Sequence, residues 1–218
     1  MQTALHPPSP IFAKVVNVIS GGSSVCGTTY SAAKRYERRN TLKGPGSLAT
    51  RSPSLAIVFD DSDERGAIGP HHDSLVISLM IGSCQVRRVL VDTGSSTNIL
   101  TLDALHGMGM SKDDLTPITM AIVGFSGEVR HSVGEITLAT EAKGVNLQTC
   151  YTVMDFQSPY NAIIGRPWIH GMKAVSSTYH QTIKFPTPWG VQEIRGDQEM
   201  AKECYTLAMK PTVAARLA

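Results

Sequence analysis

The strongest constraint on this 218-residue chain is a single carboxylate placed at the end of an uninterrupted aliphatic run. Val89-Leu90-Val91 leads directly into Asp92-Thr93-Gly94-Ser95-Ser96-Thr97-Asn98, and Ile99-Leu100 then resumes the apolar pattern. Three consecutive aliphatic residues leave a strand no polar side, so the run reads as buried on both faces. A carboxylate at the end of such a strand is costly unless it is hydrogen-bonded and used. Gly94 permits a tight backbone turn beside it, and the hydroxyls of Thr93, Ser95, Ser96 and Thr97 are available to bond it. The plain alternative is a solvated Asp-Thr-Gly turn, because Asp and Gly are common turn residues. The aliphatic frame on both sides favours the functional reading.

Around this stretch the apolar pattern breaks into short strands separated by turn residues. Residues 75–81 and 85–91 read as a hairpin across Gly82-Ser83. Residues 101–107 read as a short helix or irregular segment, with Thr101 as its cap. Residues 119–123 and 129–139 flank the two-glycine turn Gly124-Phe125-Ser126-Gly127, the kind of tip that can close as a lid. Further strands are expected at 146–154 and 162–164, and a last pair at 174–179 and 182–185. Pro167 suits the first position of a brief helix running to 171. Trp168 is expected in the core. The spacing predicts an all-β, closed barrel-like domain with one short helix over residues 73–187. Asp-Thr-Gly occurs once, so there is no internal duplication.

Outside that domain the chain is uneven in charge. The total is 20 − 18 = +2, too small to make the whole chain a nucleic-acid binder. Residues 1–59 nevertheless hold seven Lys or Arg against one Glu, whereas 60–73 hold five acids and one Arg. Residues 1–72 therefore read as a flexible, disordered linker, basic and then acidic, whose one expected partner is weakly held nucleic acid. The apolar run 15–19 has no evident strand partner. Residues 188–218 read as a C-terminal extension, with an amphipathic helix at 197–209 placing Met200, Cys204 and Leu207 on one side.

The four cysteines, Cys26, Cys84, Cys150 and Cys204, stand apart, without zinc spacing and without a secretion signal before them. Free thiols in an intracellular, cytoplasmic setting are the expectation. No apolar stretch reaches the ~18 residues of a membrane span. No metal site and no cofactor are expected. His71-His72-Asp73 carries metal-capable side chains, but neighbours on a strand point apart, so a surface role is expected. Asp103, Asp113, Asp114 and Asp155 lie in polar turns and read as solvated.

Asp92-Thr93-Gly94-Ser95 flanked by aliphatic residues resembles the active-site loop of aspartic proteases. Aspartic proteolysis needs two carboxylates sharing a proton, one polarising water and one donating to the scissile carbonyl. A symmetric homodimer would bring Asp92 and its mate together at the two-fold axis, and the pair would titrate as one unit. Ser95 is expected to hydrogen-bond the ionised carboxylate.

Three stretches in order carry a family resemblance: Leu90-Val91-Asp92-Thr93-Gly94-Ser95-Ser96, Gly124-Phe125-Ser126-Gly127, and Ile163-Ile164-Gly165-Arg166. Over about residues 73–187 the chain resembles the retropepsins, the dimeric aspartic proteases of retroviruses and long-terminal-repeat retrotransposons. With Pro70-His71-His72-Asp73, 160–168, 177–181 and the linker-like 16–22, it is most similar to the plant gypsy-type polyproteins. The resemblance implies a retropepsin-like closed barrel and an endopeptidase that processes a gag-pol polyprotein as a homodimer, in a virus-like particle. Asp92 would be the catalytic carboxylate, Thr93 would bridge the two loops, and Gly94 would line the cleft, with Ser95 beside it. Gly124, Phe125, Ser126 and Gly127 would form the flap. Ile163, Ile164, Gly165 and Arg166 would pack behind the loop. Zinc-knuckle, polymerase, ribonuclease H and integrase signatures are absent from the sequence. Two other readings stay open: a catalytically silent or peptide-binding domain of the same fold, and a nucleic-acid binder acting through the basic tail.

Overall fold

A computed structural model of the chain describes residues 55–64, 68–124 and 127–209, and all of them fall within one unit, Thr50–Ala218. Strands β1 (Val76–Ile81) and β2 (Cys84–Val91) form the expected antiparallel hairpin, turned at Gly82 with φ +60. They open a closed barrel whose other members are β3 (Ile99–Thr101), β6 (Gly134–Ala142), β7 (Val145–Met154) and β8 (Ala162–Ile164). The order around it is β1-β2-β8-β3-β7-β6. Apolar side chains from these strands fill the barrel, with Ile77, Ile81, Val89, Leu100, Tyr151 and Ile164 all essentially inaccessible to solvent. The all-β closed barrel read from the short-strand spacing is the observed architecture.

One relation in this barrel positions the site. β8 runs parallel to β2 (Val91 opposite Ile164) and antiparallel to β3 (Ile99 opposite Ile163). β2 and β3 are consecutive in the chain yet lie on opposite sides of β8. The segment between them, residues 92–98, must therefore arch over the end of β8.

Helices seal the ends. α1 (Leu102–Gly107) starts at Thr101, whose Oγ1 accepts the Ala104 N–H at 3.2 Å, a cap that contributes about 1 kcal/mol. α2 (Arg166–Gly171) has Pro at its first turn and buries Trp168 and Ile169. The stretch 101–107, read as a short helix or irregular segment, is thus helical.

Elsewhere the structure departs from the sequence expectation through long-range contacts. The stretch 129–139, expected as one strand, divides into β5 (Val129–His131) and β6. Buried Ser132 causes the break: its Oγ accepts the Met120 N–H at 2.8 Å and donates to the Ile118 carbonyl at 3.1 Å. β5 pairs only with β4 (Ala121–Val123), so the two form a hairpin separate from the barrel. The last pair of strands, β9 (Val175–Ser177) and β10 (Thr182–Thr187), gains a third, β11 (Gly190–Arg195), which pairs with β10 over six residues.

The two flanks dock on this body too. α3 (Gln198–Met209) buries Met200 and Cys204 as its pattern predicts, and Ala201 besides, but Leu207 stays 42% exposed. Residues 55–64, expected in a flexible linker, are held by Lys184, whose Nζ pairs with Asp63 at 2.6 Å and donates to the Val58 carbonyl at 2.8 Å. Phe59 stacks on His180 with ring centroids 5.4 Å apart. Residues 1–54, with the apolar run 15–19 and Cys26, lie outside the described residues. No described helix is long and apolar enough to cross a membrane.

Candidate active site

Asp92 sits half-buried at the first position of the arch, where its N–H donates to the Ile164 carbonyl at 3.0 Å. Its Oδ1 accepts the Gly94 N–H at 2.9 Å, which turns the carboxylate back over the loop. The Ser95 N–H closes the turn on the Asp92 carbonyl at 3.2 Å. Thr93 and Gly94 are exposed at the crest. The local cause is the small-residue sequence. A Cβ on Gly94 would stand 3.1 Å from Asp92 Oδ1, so glycine is what lets the backbone approach its own carboxylate.

The Ser95 hydroxyl does not bond the carboxylate, contrary to expectation. Its Oγ donates to the Thr97 carbonyl at 2.7 Å, because the turn points Cβ of residue 95 down the arch instead of back to Asp92. Ser95 therefore stiffens the arch and leaves the carboxylate to the Gly94 amide. Thr97 continues the bracing, with its Oγ1 2.9 Å from Thr152 Oγ1 on β7.

Behind the arch, the residues expected as support form a backbone ladder. The Ile164 carbonyl takes the Asp92 N–H, the Gly165 N–H donates to Asn98 Oδ1 at 3.0 Å, and the Arg166 N–H donates to the Ser95 carbonyl at 3.0 Å. Ile164 is buried and Ile163 half-buried. Arg166 adds a second role: its Nη1 donates to the Gly94 carbonyl at 2.9 Å and reaches the Thr93 carbonyl at 3.5 Å. A guanidinium across two loop carbonyls fixes their direction and places a permanent positive charge beside the carboxylate turn.

The glycine hairpin stands on β4 and β5. Gly124 N–H donates to the Glu128 carbonyl at 2.9 Å, and Gly127 adopts φ +88, a left-handed turn that favours glycine. Phe125 and Ser126 lie outside the described residues. The hairpin has an exposed apolar surface at Ile118, Met120, Val123 and Val129. Its base touches the arch through β7, since Thr152 Oγ1, bonded to Thr97, also contacts Met120 Sδ at 4.0 Å.

Asn98 and Thr152 were not singled out by the sequence pattern. The one available signal for Asn98 was an amide wedged between a polar loop and an apolar pair, a weak cue because Asn is common in loops. The remaining candidates fall outside the site. Asp103, Asp113, Asp114 and Asp155 are exposed as expected, and Asp155 lies 3.5 Å from Lys112. His71 departs from its expected surface role: its side chain is only 10% exposed, and its Nε2 lies 3.1 Å from the Tyr179 carbonyl. It lines a cavity of about 850 Å³ with His72, Asp73, Glu64 and Tyr179, away from the arch. Burial, followed by the Glu135 charge, pushes the Cys150 thiol up, and burial does the same for Cys204. Both therefore stay protonated near neutral pH and are poor nucleophiles. Among the described residues no group of three or more His, Cys, Asp or Glu is placed to hold a metal ion.

Barrel and arch define the class: an all-β closed barrel presenting one Asp-Thr-Gly loop per chain. Solved structures similar to this chain include the retroviral protease-like domain of Ddi1 from Leishmania major, 15% identical with a TM-score of 0.47, covering 59% of this chain and 98% of that one. EIAV protease, complexed with the inhibitor HBY-793, is 18% identical with a TM-score of 0.39, over 51% of this chain and 99% of that one. A retropepsin-like aspartic protease from Rickettsia conorii is 16% identical with a TM-score of 0.40, over 49% and 86%. The closed barrel rests on this chain's own strand order and register. No protein-family model matches the chain, and no curated protein does.

Proposed function

We propose that the chain is an aspartic endopeptidase whose active site is completed by a second copy. The observation that carries the reading is the arch itself: a half-buried Asp92 whose carboxylate accepts the Gly94 amide and whose own N–H is held by the Ile164 carbonyl, with Thr93 and Gly94 exposed on its outer side. One chain supplies one such carboxylate. A two-fold axis at the crest supplies the other and makes the pair share a single proton.

In that dimer the ionised carboxylate takes a proton from water as its oxygen attacks the scissile carbonyl carbon. The protonated carboxyl donates its proton to the carbonyl oxygen, giving a neutral tetrahedral diol. Collapse of the diol re-forms the carbonyl, breaks the C–N bond and delivers a proton to the departing amine. The β4–β5 hairpin, with its exposed Val123 and Val129, serves as the cover that excludes water from the bound polypeptide.

The finer reading follows the sequence resemblance. The substrate is a gag-pol polyprotein of a plant gypsy-type retrotransposon, cut inside the cell in a particle. The test is cleavage of a peptide library at about pH 5 by wild type, Asp92→Asn and wild type with a statine-type inhibitor, alongside sedimentation to read the oligomer. Cleavage abolished by both the mutation and the inhibitor supports the reading. A folded, strictly monomeric chain that cuts nothing overturns it in favour of a silent domain of the same fold.

A further inference from the structure

Asn98 lies where three strands converge, and its side chain joins two of them to the third. It is 1% exposed, its Oδ1 accepts the Gly165 N–H at 3.0 Å, and its Nδ2 donates to the Cys150 carbonyl at 3.0 Å. Its own carbonyl accepts the Thr152 N–H at 2.8 Å. Because one partner is a donor and the other an acceptor, the orientation of the amide is determined by chemistry, and the amide offers both groups from one planar head at every pH.

We propose that Asn98 is a positioning residue for Asp92, resting on the reading of Asp92 as the acid–base carboxylate. Gly165 is the middle rung of the ladder whose neighbours hold the Asp92 N–H and the Ser95 carbonyl. A shift of Gly165 therefore moves both anchors of the catalytic turn at once. The Asn98 amide ties that rung to β7, the strand that also braces Thr97, so the arch has one register relative to the barrel.

The isostere Asn98→Asp gives the test its leverage. A carboxylate there sets an anionic oxygen against the Cys150 carbonyl, acceptor against acceptor, whereas the protonated acid restores the donor. The titratable or charged groups near it are Asp92 on the same arch, Arg166 after Gly165, and Cys150 with Glu135 on β7 and β6.

Using the whole chain, cleavage is followed from about pH 3 to pH 7 for wild type, Asn98→Asp and Asn98→Ala, with thermal melting at each pH. Amide exchange at Gly94 and Gly165 is measured by NMR on the same proteins. Asn98→Asp is expected to cut at least about tenfold slower than wild type near pH 7 while still folded, with the loss in kcat and not KM. It should converge on wild type at the acid end. Asn98→Ala should be slow throughout and should lose protection at Gly94 as well as Gly165, with the rest of the barrel still protected. A pH profile parallel to wild type, or unchanged Gly94 protection, overturns the proposal. If wild type itself cuts nothing, the protease reading fails, and the exchange at Gly94 still decides whether Asn98 holds the turn. If Asn98→Ala does not fold, Asn98→Asp below and above its titration decides the same point by the same exchange measurement.

Discussion

Gly165 lies directly beneath the arch. A Cβ at that position would stand 2.8 Å from the Ser95 carbonyl oxygen and closer still to that of Thr97. The requirement is for space and not for backbone conformation, since φ at Gly165 is −104. The atoms in the way are backbone, so no rotamer change relieves them. Gly165→Ala is expected to displace the turn that carries Asp92 and to cost about 1–3 kcal/mol. Urea unfolding reads the stability, and peptide cleavage should fall more than the fraction folded does.

The clamp on residues 55–64 is predicted to open in acid. Lys184 bonds Asp63 and lies over the Phe59 ring, 4.9 Å from its centroid. The Lys184 hydrogen bond, helped by the Asp60 backbone N–H, holds the Asp63 carboxyl below the usual carboxylate range. Because the folded value lies below the unfolded one, the contribution is present in full above the ordinary carboxylate pKa of about 4. It is lost as pH falls through the folded value. Limited proteolysis near Phe59 should quicken below about pH 4 in wild type. In Lys184→Met it should be fast at neutral pH as well.

Tyr151 and Thr140 share a buried hydroxyl pair at 2.9 Å, with both residues inaccessible to solvent. Removing either hydroxyl alone, as in Tyr151→Phe or Thr140→Val, should cost about 1–3 kcal/mol by leaving its partner unsatisfied. The double variant should recover part of that loss, which a double-mutant cycle in urea measures. Burial pushes the Tyr151 hydroxyl up to about 12. Its raised folded value makes the contribution full below the ordinary tyrosine pKa of about 10 and lost as pH rises through about 12. Tyr151→Phe should lack that alkaline limb.

Met200 tests whether α3 belongs to the folded unit. Its Sδ accepts the Arg88 N–H at 3.1 Å, at a point where β2 carries an extra residue against β1 and Arg88 adopts φ +56. Gln198 meanwhile grips both backbone groups of Ile68, at 2.6 and 3.2 Å, and the Asp73 carboxylate at 2.9 Å. Met200→Ala should cost about 2–5 kcal/mol, and Met200→Leu, which keeps the volume and loses the acceptor, about 1 kcal/mol. An unfolding midpoint unchanged in Met200→Ala would show that the helix is an appendage.

What the sequence by itself determined is what local chemistry decides. Aliphatic runs set β1, β2, β7 and β8; Thr101 sets where α1 begins, while Pro167 falls at the second position of α2, one residue later than read; and Asp92-Thr93-Gly94 marks the turn. Each follows from side chains within a few residues of one another. The tertiary structure alone decided what depends on distant partners. Ser95 turns to Thr97 and not to the carboxylate, Ser132 splits a strand by bonding Ile118 and Met120, and Lys184 holds a segment more than a hundred residues away. The clearest case is Asn98, an ordinary loop residue in the sequence. Its importance exists only because β8 brings Gly165 to one end of its amide while β7, on the other side of β3, brings Cys150 to the other end. A polar side chain's role is set by which unpaired backbone groups the fold delivers to it, and residues so far apart in the chain carry no periodic signal of that meeting.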